Sequence, residues 1–462
     1  MQSRTLDKKT RNLILVLFLI GVFMGSLDTG IIGPVLPSIE NSFHLTSRES
    51  SWIFTLFVIF FMIGSPIMAK FSDFYGRKKI FILDVVLFGI GSALIAFSFN
   101  IESIFMGRII QGFGCGGLFP VAGAFVGDAF PLEERGKALG ILGSVFGISA
   151  IGGPLVGAAL IPIGWNWCFT INIPISIFLI IFSLKILPEL EDKRKLKIDY
   201  MGIIVLSLLS IFLAYGLNQI NSSNFINSLL SVNVLPFLIL FIIMIPIFLK
   251  IEKMAEESIV PIHMLKNKEI SIACIETLCY GIIYSSAIFI PSLVILSMGL
   301  NEQYASLMLI PILGANAVAA PILGNILDST GSRKIMMIGT LMLSIGLISI
   351  AIYPNNLIMF IIAGCIIGVG MVTIIGAPLR YIVLSEAKPQ ERGAGQAIVN
   401  MLSSAGQLID GALIGGIIAS FSGILGYKIS LIIAAIVAFI AFLFTLKLKN
   451  RNEQIETMKS NL

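Results

Sequence analysis

Four ionisable side chains sit inside stretches otherwise fit for lipid: Asp28, Arg108, Glu276 and Asp410. A charge in hydrocarbon is expensive to hold, so it pairs with a partner, reaches water or serves an ion or substrate path. A lone buried carboxyl favours its neutral form and is a natural proton carrier. An arginine beside it gives a pair whose strength changes when the acid takes up a proton. Arg108 carries Gln111 at i+3, one turn away on the same helix face. The chemistry these side chains can do is proton binding and release rather than bond making. Asn316, Asn400 and Gln407 are polar residues in mid-span that suit a substrate path, although bonding between helices is the commoner use of such groups.

Composition excludes several functions. The chain has 462 residues, 56% of them hydrophobic and only 12% charged, with a mean hydropathy of +0.97. Soluble proteins carry about a quarter charged residues, so this is an integral membrane protein. A net charge of +5 in such a chain reports orientation first, and nucleic acid is not an expected partner. The five cysteines, Cys115, Cys168, Cys274, Cys279 and Cys365, fall within apolar runs and lack metal-type spacing. They read as small buried residues, and neither metal nor cofactor is expected. No phosphate-binding G-x-x-x-x-G-K-[ST] loop occurs, and the charged loops are too short for a nucleotide-binding domain. The chain is not expected to be an enzyme, and its driving force would be an ion gradient.

The elements that position these groups follow from length. Taking about 20 apolar residues per crossing, spans fall near 12–34, 50–70, 80–98, 102–124, 137–160, 166–186, 200–220, 229–250, 269–293, 303–325, 335–353, 356–378, 393–418 and 428–447, fourteen in all. The basic stretch Lys8, Lys9 and Arg11 before the first run resembles the start of a signal peptide. The run continues to Pro34, carries Asp28 and shows no small-x-small cleavage site, so it is read as the first span. Of the 31 Lys and Arg residues, 28 lie at the termini and in the loops on one side, Arg380 among them. Arg48 and Lys428 lie opposite, and Arg108 is inside the membrane. That asymmetry places both termini in the cytoplasm.

Depth then sorts the charges. At about 1.5 Å per residue, Asp28 lies roughly 24 Å above the inner end of its span. Arg108 lies about 9 Å below the outer surface by the same rise, so in a core about 30 Å thick the two are nearly level. They form either a fixed ion pair that locks helices together or a pair modulated by protonation of Asp28. Glu276 lies roughly 10 Å deep from the inner side, as a proton or cation site or as a residue reaching an inner water vestibule. Asp410 lies toward the outer end of its span. Asp84, about one turn into the third span, reads as an interfacial carboxylate.

An internal repeat organises the whole. Asp73-Phe-Tyr-Gly76-Arg77-Lys-Lys recurs as Asp328-Ser-Thr-Gly331-Ser-Arg333-Lys, and Pro131-Leu-Glu-Glu-Arg135-Gly136 is echoed by Pro389-Gln-Glu-Arg392-Gly393. Spans 1–6 therefore correspond to spans 9–14. The domains are a six-helix bundle over 1–190, a linker with two extra helices over 191–265, and a second six-helix bundle with a short tail over 266–462. Parallel repeats of this kind are a transporter architecture with a binding site between the halves. The span near 137–160 also packs Gly143, Gly147, Gly152, Gly153, Pro154 and Gly157 together, a composition that lets helices approach closely and bend.

Along nearly its whole length the chain resembles the major facilitator superfamily, and within it the fourteen-helix drug:proton antiporters. Ala69-Lys-Phe-Ser-Asp73-Phe-Tyr-Gly76-Arg77-Lys78 is similar to the loop 2–3 signature, with Ala69 where glycine is usual and Gly324 in the second copy. Arg108-Ile-Ile-Gln111-Gly112-Phe-Gly114 is similar to the helix 4 signature, and Gly153-Pro154-x-x-Gly157 to the helix 5 signature associated with antiporters. Leu27-Asp28-Thr29 through Pro37, Trp165-Asn166-Trp167 through Pro174, and Pro261-Ile-His-Met-Leu265 are similar to the fourteen-helix branch, with Asn166 where arginine is usual. The resemblance implies an all-α membrane fold in which helices 1, 4 and 9 line a central cavity. It implies that Asp73 caps a helix of the opposite half while Arg77 pairs with Asp128, a latch that also includes Gly76, Asp328 and Arg333. With the cavity placed by that resemblance, proton coupling is expected through Asp28, Arg108, Glu276 and Asp410, and Gln111, Asn316, Asn400 and Gln407 are candidates to line the substrate cavity.

The function expected is proton-coupled export of apolar compounds, cationic ones among them, across the cell membrane. The partners expected are a small molecule, protons and the bilayer, with the chain acting as a monomer. A dedicated transporter of one metabolite, antibiotic or lipid precursor is the alternative, and a non-transporting membrane sensor with this fold is a second.

Overall fold

The computed structural model describes residues 7–45, 47–188, 199–220, 224–255, 258–300, 302–388, 391–421 and 423–460. The expected motif residues Pro389 and Gln390, and residues 189–198 at the start of the expected linker, fall outside them. The described chain is helical from end to end. Fourteen long helices are numbered in order: α1 Lys8–Phe43, α2 Ser47–Tyr75, α3 Arg77–Ala96, α4 Ile101–Ala129, α5 Leu132–Leu160, α6 Asn172–Ile186, α7 Tyr200–Asn218, α8 Leu235–Met254, α9 Lys268–Ile288, α10 Ile310–Thr330, α11 Ser332–Ile352, α12 Leu357–Ile375, α13 Arg392–Ser420 and α14 Ile424–Thr445. Among the described residues, twelve helices are long and apolar enough to cross a membrane. The helices α5 and α9, at the fifth and ninth expected spans, stand outside that twelve.

Four of these helices, α1, α4, α7 and α12, start at short polar side chains that satisfy first-turn N–H groups. Asp7 accepts from Thr10 N, Asn100 from Ser103 N, Asp199 from Gly202 N and Asn356 from Met359 N, at 2.8–3.2 Å. At Gly76 and Gly331, which precede α3 and α11, φ is 91° and 78°, a conformation in which a side chain would be strained. These two glycines are the matched turn of the repeat.

The repeat is visible in the packing. A Cβ at Gly91 would meet Gly107 O and Gln111 N, and one at Gly346 would meet Ala363 O and Ile367 N. Gly114 rests on Asp84 and Phe88 as Gly370 rests on Gly339 and Leu343. One apolar core joins Phe18, Phe81, Phe88 and Phe125 of the first half, and another joins Tyr280, Leu343, Phe360 and Leu431 of the second. The halves differ in where helices are interrupted: Pro120 stays inside α4, whereas the second half breaks at Gly376, after which a separate helix runs Ala377–Glu386, and α1 and α2 run unbroken where the second half stops at Phe289 and at residues 308–309.

The extra pair lies against the seam of the halves. Val205, Leu206 and Leu209 of α7 and Phe248 of α8 pack with Ile59, Ile63 and Ile67 of α2, Cys274 of α9 and Ile398 of α13. Asn218 ties α7 to α2 through Thr55 Oγ1 at 2.8 Å.

Candidate functional site

Asp28 and Arg108 meet. Arg108 Nη1 donates to Asp28 Oδ2 at 2.6 Å, with relative exposures of 2% for Asp28 and 0% for Arg108. Gln111 is the third member: its Oε1 accepts from Arg108 Nη1 at 2.7 Å, and its Nε2 donates to Asp28 Oδ1 at 2.8 Å and Ser92 Oγ at 2.9 Å. Asn172 of α6 closes the network on Asp28 Oδ1 and Ser92 Oγ at 3.4 and 3.3 Å. Arg108 Nε donates to Ile53 O at 2.9 Å, and the guanidinium lies 4.3 Å from the Phe57 ring centroid. Charge-assisted bonds of this kind are strong and sensitive to the protonation of the acid. Ser92 and Asn172 carry no charge and give no signal in a search for buried ions, although Asn172 lies inside the motif that follows Trp165. In that motif Asn166 Nδ2 bonds Ala96 O at 2.8 Å and Trp165 Nε1 bonds Ser42 Oγ at 3.1 Å.

Beside this network α1 and α5 touch backbone to backbone. A Cβ at Gly153 would lie 2.6 Å from the carbonyl carbon of Gly30, and one at Gly157 would lie 3.3 Å from Pro34. The side chain of Pro154 is outside the described set.

At the end of the bundle that carries the repeated loops, the halves are joined. Asp128 accepts from Arg77 of its own half at 3.1 Å and from Arg392 of the other at 3.0 Å, and Arg392 also donates to Gly127 O at 2.7 Å. Asp73 pairs with Arg77 at 2.5 Å and sits against the start of α13, where a Cβ at Gly393 would lie 2.8 Å from its Oδ1. In the symmetric place Asp328 accepts from Gly136 N at 2.9 Å and Lys137 N at 3.1 Å. Each half thus presents a carboxylate to a helix start of the other, where the exposed N–H groups favour negative charge. Arg333, expected in this cluster, instead donates to Leu446 O at 2.8 Å. Its place is taken by the terminal helix Arg451–Ser460, whose Arg451 donates to Asp328 O at 2.6 Å and Tyr381 Oη at 2.7 Å. Arg392 was legible as the counterpart of Arg135 in the repeated loop, and its reach across the seam has no sequence signal.

The other expected acids are enclosed. Glu276, expected on a cavity wall, is 0% exposed on the α9 face that carries Ala273, Tyr280 and Ile283, and neither oxygen has a hydrogen-bond partner among the described residues. Asp410 is 2% exposed within α13. Asp84, read as interfacial, is 0% exposed and rests on Gly117, where any side chain would collide with its carboxylate. The Gly117 gap, on another helix, creates that niche, so distance along α3 alone gave the wrong surroundings. Asn316 is half-buried on α10, and Gln407 bonds Ser403 Oγ at 3.2 Å. Asn400 is 6% exposed and accepts from Arg380, a residue assigned to a loop by its position beyond the twelfth apolar run. The sequence Tyr381-Ile-Val-Leu384 after it was the sign that the helix resumes. Among the cysteines four are buried and Cys365 is exposed on α12, which corrects the expectation of five buried ones.

The sequence profile of the Major Facilitator Superfamily matches residues 18–265 and 272–459. The chain belongs to the Major Facilitator Superfamily. It is 31% identical over 426 residues to the uncharacterized MFS-type transporter YfiU of Bacillus subtilis, covering 91% of this chain and 82% of that protein. It is 31% identical over 350 residues to multidrug resistance protein 3 of the same organism, covering 75% and 68%. To the riboflavin transporter RibZ of Clostridioides difficile it is 25% identical over 391 residues, covering 84% of each. Two solved structures share the fold. The human organic anion transporter MFSD10 has a TM-score of 0.67 at 13% identity, covering 94% of this chain and 99% of that one. The proton:xylose symporter XylE has a TM-score of 0.68 at 14% identity, covering 96% and 97%. The chain is thus a multi-pass membrane transporter of this superfamily, whose members here are transporters rather than enzymes.

Proposed function

We propose that this transporter is a proton-coupled exporter of apolar, drug-like compounds, cationic ones included, working by alternating access as a monomer in the cell membrane. In this reading all fourteen helices, α5 and α9 included, cross the bilayer, and both termini are cytoplasmic. The joined end is then the cytoplasmic one, and the state described is closed to the cytoplasm and open outward. The observation that carries the proposal is the enclosed Asp28–Arg108–Gln111–Asn172 network. Protonation of Asp28 removes the charge that holds Arg108 and the two amide donors, freeing α4 and α6 relative to α1. Glu276 and Asp410 are the further proton sites, and Asn316, Asn400 and Gln407 face the substrate path. Export rather than uptake is supported by the glycine contact of α5 with α1 and by the relative named for multidrug resistance. The test is a resistance and dye-efflux panel in cells expressing the protein, with and without a protonophore. Efflux of several unrelated compounds, abolished by the protonophore, is expected; efflux unaffected by the protonophore contradicts proton coupling. Transport of a single metabolite is the second reading, favoured by the relative named as a riboflavin transporter. It predicts that one compound alone competes.

A further inference from the structure

Arg380 holds a positive charge at the seam of the two halves with nothing negative beside it. It is 1% exposed, its guanidinium lies 3.6 Å from the ring centroid of Phe119 on α4, and it donates to Gln396 Oε1 at 3.0 Å and Asn400 Oδ1 at 2.8 Å on α13. Arg77, Arg108 and Arg392 each have a carboxylate in reach; among the described residues Arg380 makes no ion pair. A buried charge without a counter-ion is strongly destabilising, and in a membrane protein it marks a ligand or ion path.

The unsatisfied atoms say what is missing. Arg380 Nε and Asn400 Nδ2, on side chains joined by that 2.8 Å bond, are both buried without a partner among the described residues. Both are donors. The site therefore lacks an acceptor and a negative charge together, which is what a carboxylate supplies with its two oxygens. A polar face of α13 leads toward it. Gln396, Asn400, Ser404, Gln407 and Gly411 recur at intervals of three or four on one face. Exposure rises along that face: Gln396 is at 0% and Asn400 at 6%, Ser404 and Gln407 are half-buried, and a Cβ at Gly411 would meet nothing within 4 Å.

We infer that Arg380 and Asn400 form the floor of the transport cavity and bind the carboxylate of an amphipathic organic anion. Arg380 Nε–H and Asn400 Nδ2–H each donate to one carboxylate oxygen, and the Phe119 ring holds the guanidinium in place from the other half. The inference rests on the transporter reading above and adds to it a substrate class, compounds with an apolar body and one acidic group. Both donors belong to the second half, Arg380 on the helix Ala377–Glu386 and Asn400 on α13, and the first half contributes only the Phe119 ring behind the guanidinium.

The experiment uses two xanthene dyes with the same ring system: fluorescein, which carries a free carboxylate, and rhodamine 123, a cation whose carboxyl is a methyl ester. Binding to the purified full-length protein is followed by fluorescence anisotropy. Saturable fluorescein binding is expected, weakened at least tenfold by Arg380→Gln, with rhodamine 123 affinity changed less than twofold. Asn400→Asp places a carboxylate beside Arg380 in advance; it is expected to weaken fluorescein equally while keeping or raising the thermal midpoint, which answers the objection of misfolding. No saturable fluorescein binding by the native protein overturns the proposal. So does unchanged fluorescein binding in both variants, or an equal loss of both dyes in a folded Asn400→Asp protein. Dye movement into vesicles is measured separately: binding without movement contradicts the transporter reading and leaves the anion site standing.

Discussion

Asp328→Ala isolates one strut of the joined end. Asp328 reaches from α10 to the second turn of α5, with bonds of 2.9 Å to Gly136 N and 3.1 Å to Lys137 N. Loss of such a hydrogen bond costs about 0.5–1.5 kcal/mol, and the carboxylate charge near a helix N-terminus adds about 0.3–1 kcal/mol. Both contributions exist only while the halves are joined at this end, so their loss favours the separated state by about 4- to 70-fold. The Lys137 bond is solvent-exposed, where water screens it, which places the expectation at the lower end, about fivefold to tenfold. The assay is single-molecule energy transfer between dyes on Lys8→Cys in α1 and Lys334→Cys in α11, both exposed. Cys365, exposed as well, is replaced by serine. A rise in the low-transfer population by that factor is expected. A folded Asp328→Ala protein with an unchanged transfer distribution refutes the idea that this contact holds the halves together.

Three further outcomes follow from the same geometry. Arg392→Gln, which removes the 2.7 and 3.0 Å bonds to Gly127 O and Asp128, shifts the same equilibrium in the same direction; combined with Asp328→Ala the shifts multiply, because the two contacts share no partner. Gly153→Val places a side chain where a Cβ already lies 2.6 Å from Gly30; thermal denaturation in detergent then shows a loss of about 1–3 kcal/mol, and an unchanged midpoint contradicts the backbone contact. Gln111→Leu takes one bond each from Asp28, Ser92 and Arg108, leaving two buried acceptors and one buried donor each short of a partner at a cost of about 1–3 kcal/mol each; transport falls at least tenfold, and native-like transport contradicts the network's role.

What was legible in the sequence was what periodicity and charge report directly. Apolar run length located every long helix, with ends missed by up to nine residues at the end of α1 and seven at the start of α10, and the matched depth of Asp28 and Arg108 brought them together because a straight helix converts residue count into height. The repeated Asp-x-x-Gly loops were legible because Gly76 and Gly331 fill a backbone conformation closed to other residues. What was hidden depends on the neighbouring helix. Asp84 is enclosed because Gly117 across from it has no side chain. Arg333 is replaced by Arg451, which lies far along the chain in a tail with no apolar pattern. Arg380 looked like a loop cation because the break at Gly376 ends one apolar run just before a second, amphipathic one begins.

The central claim is that Asp28 couples protons to transport, and reconstituted vesicles test it most directly. Movement of rhodamine 123 is followed with and without an imposed pH gradient, for the native protein and for Asp28→Asn. The account predicts that the native protein concentrates the dye against its gradient when protons flow the other way, and that Asp28→Asn retains gradient-free dye exchange but no longer responds to the pH gradient. An Asp28→Asn protein that still concentrates the dye as the native one does contradicts it.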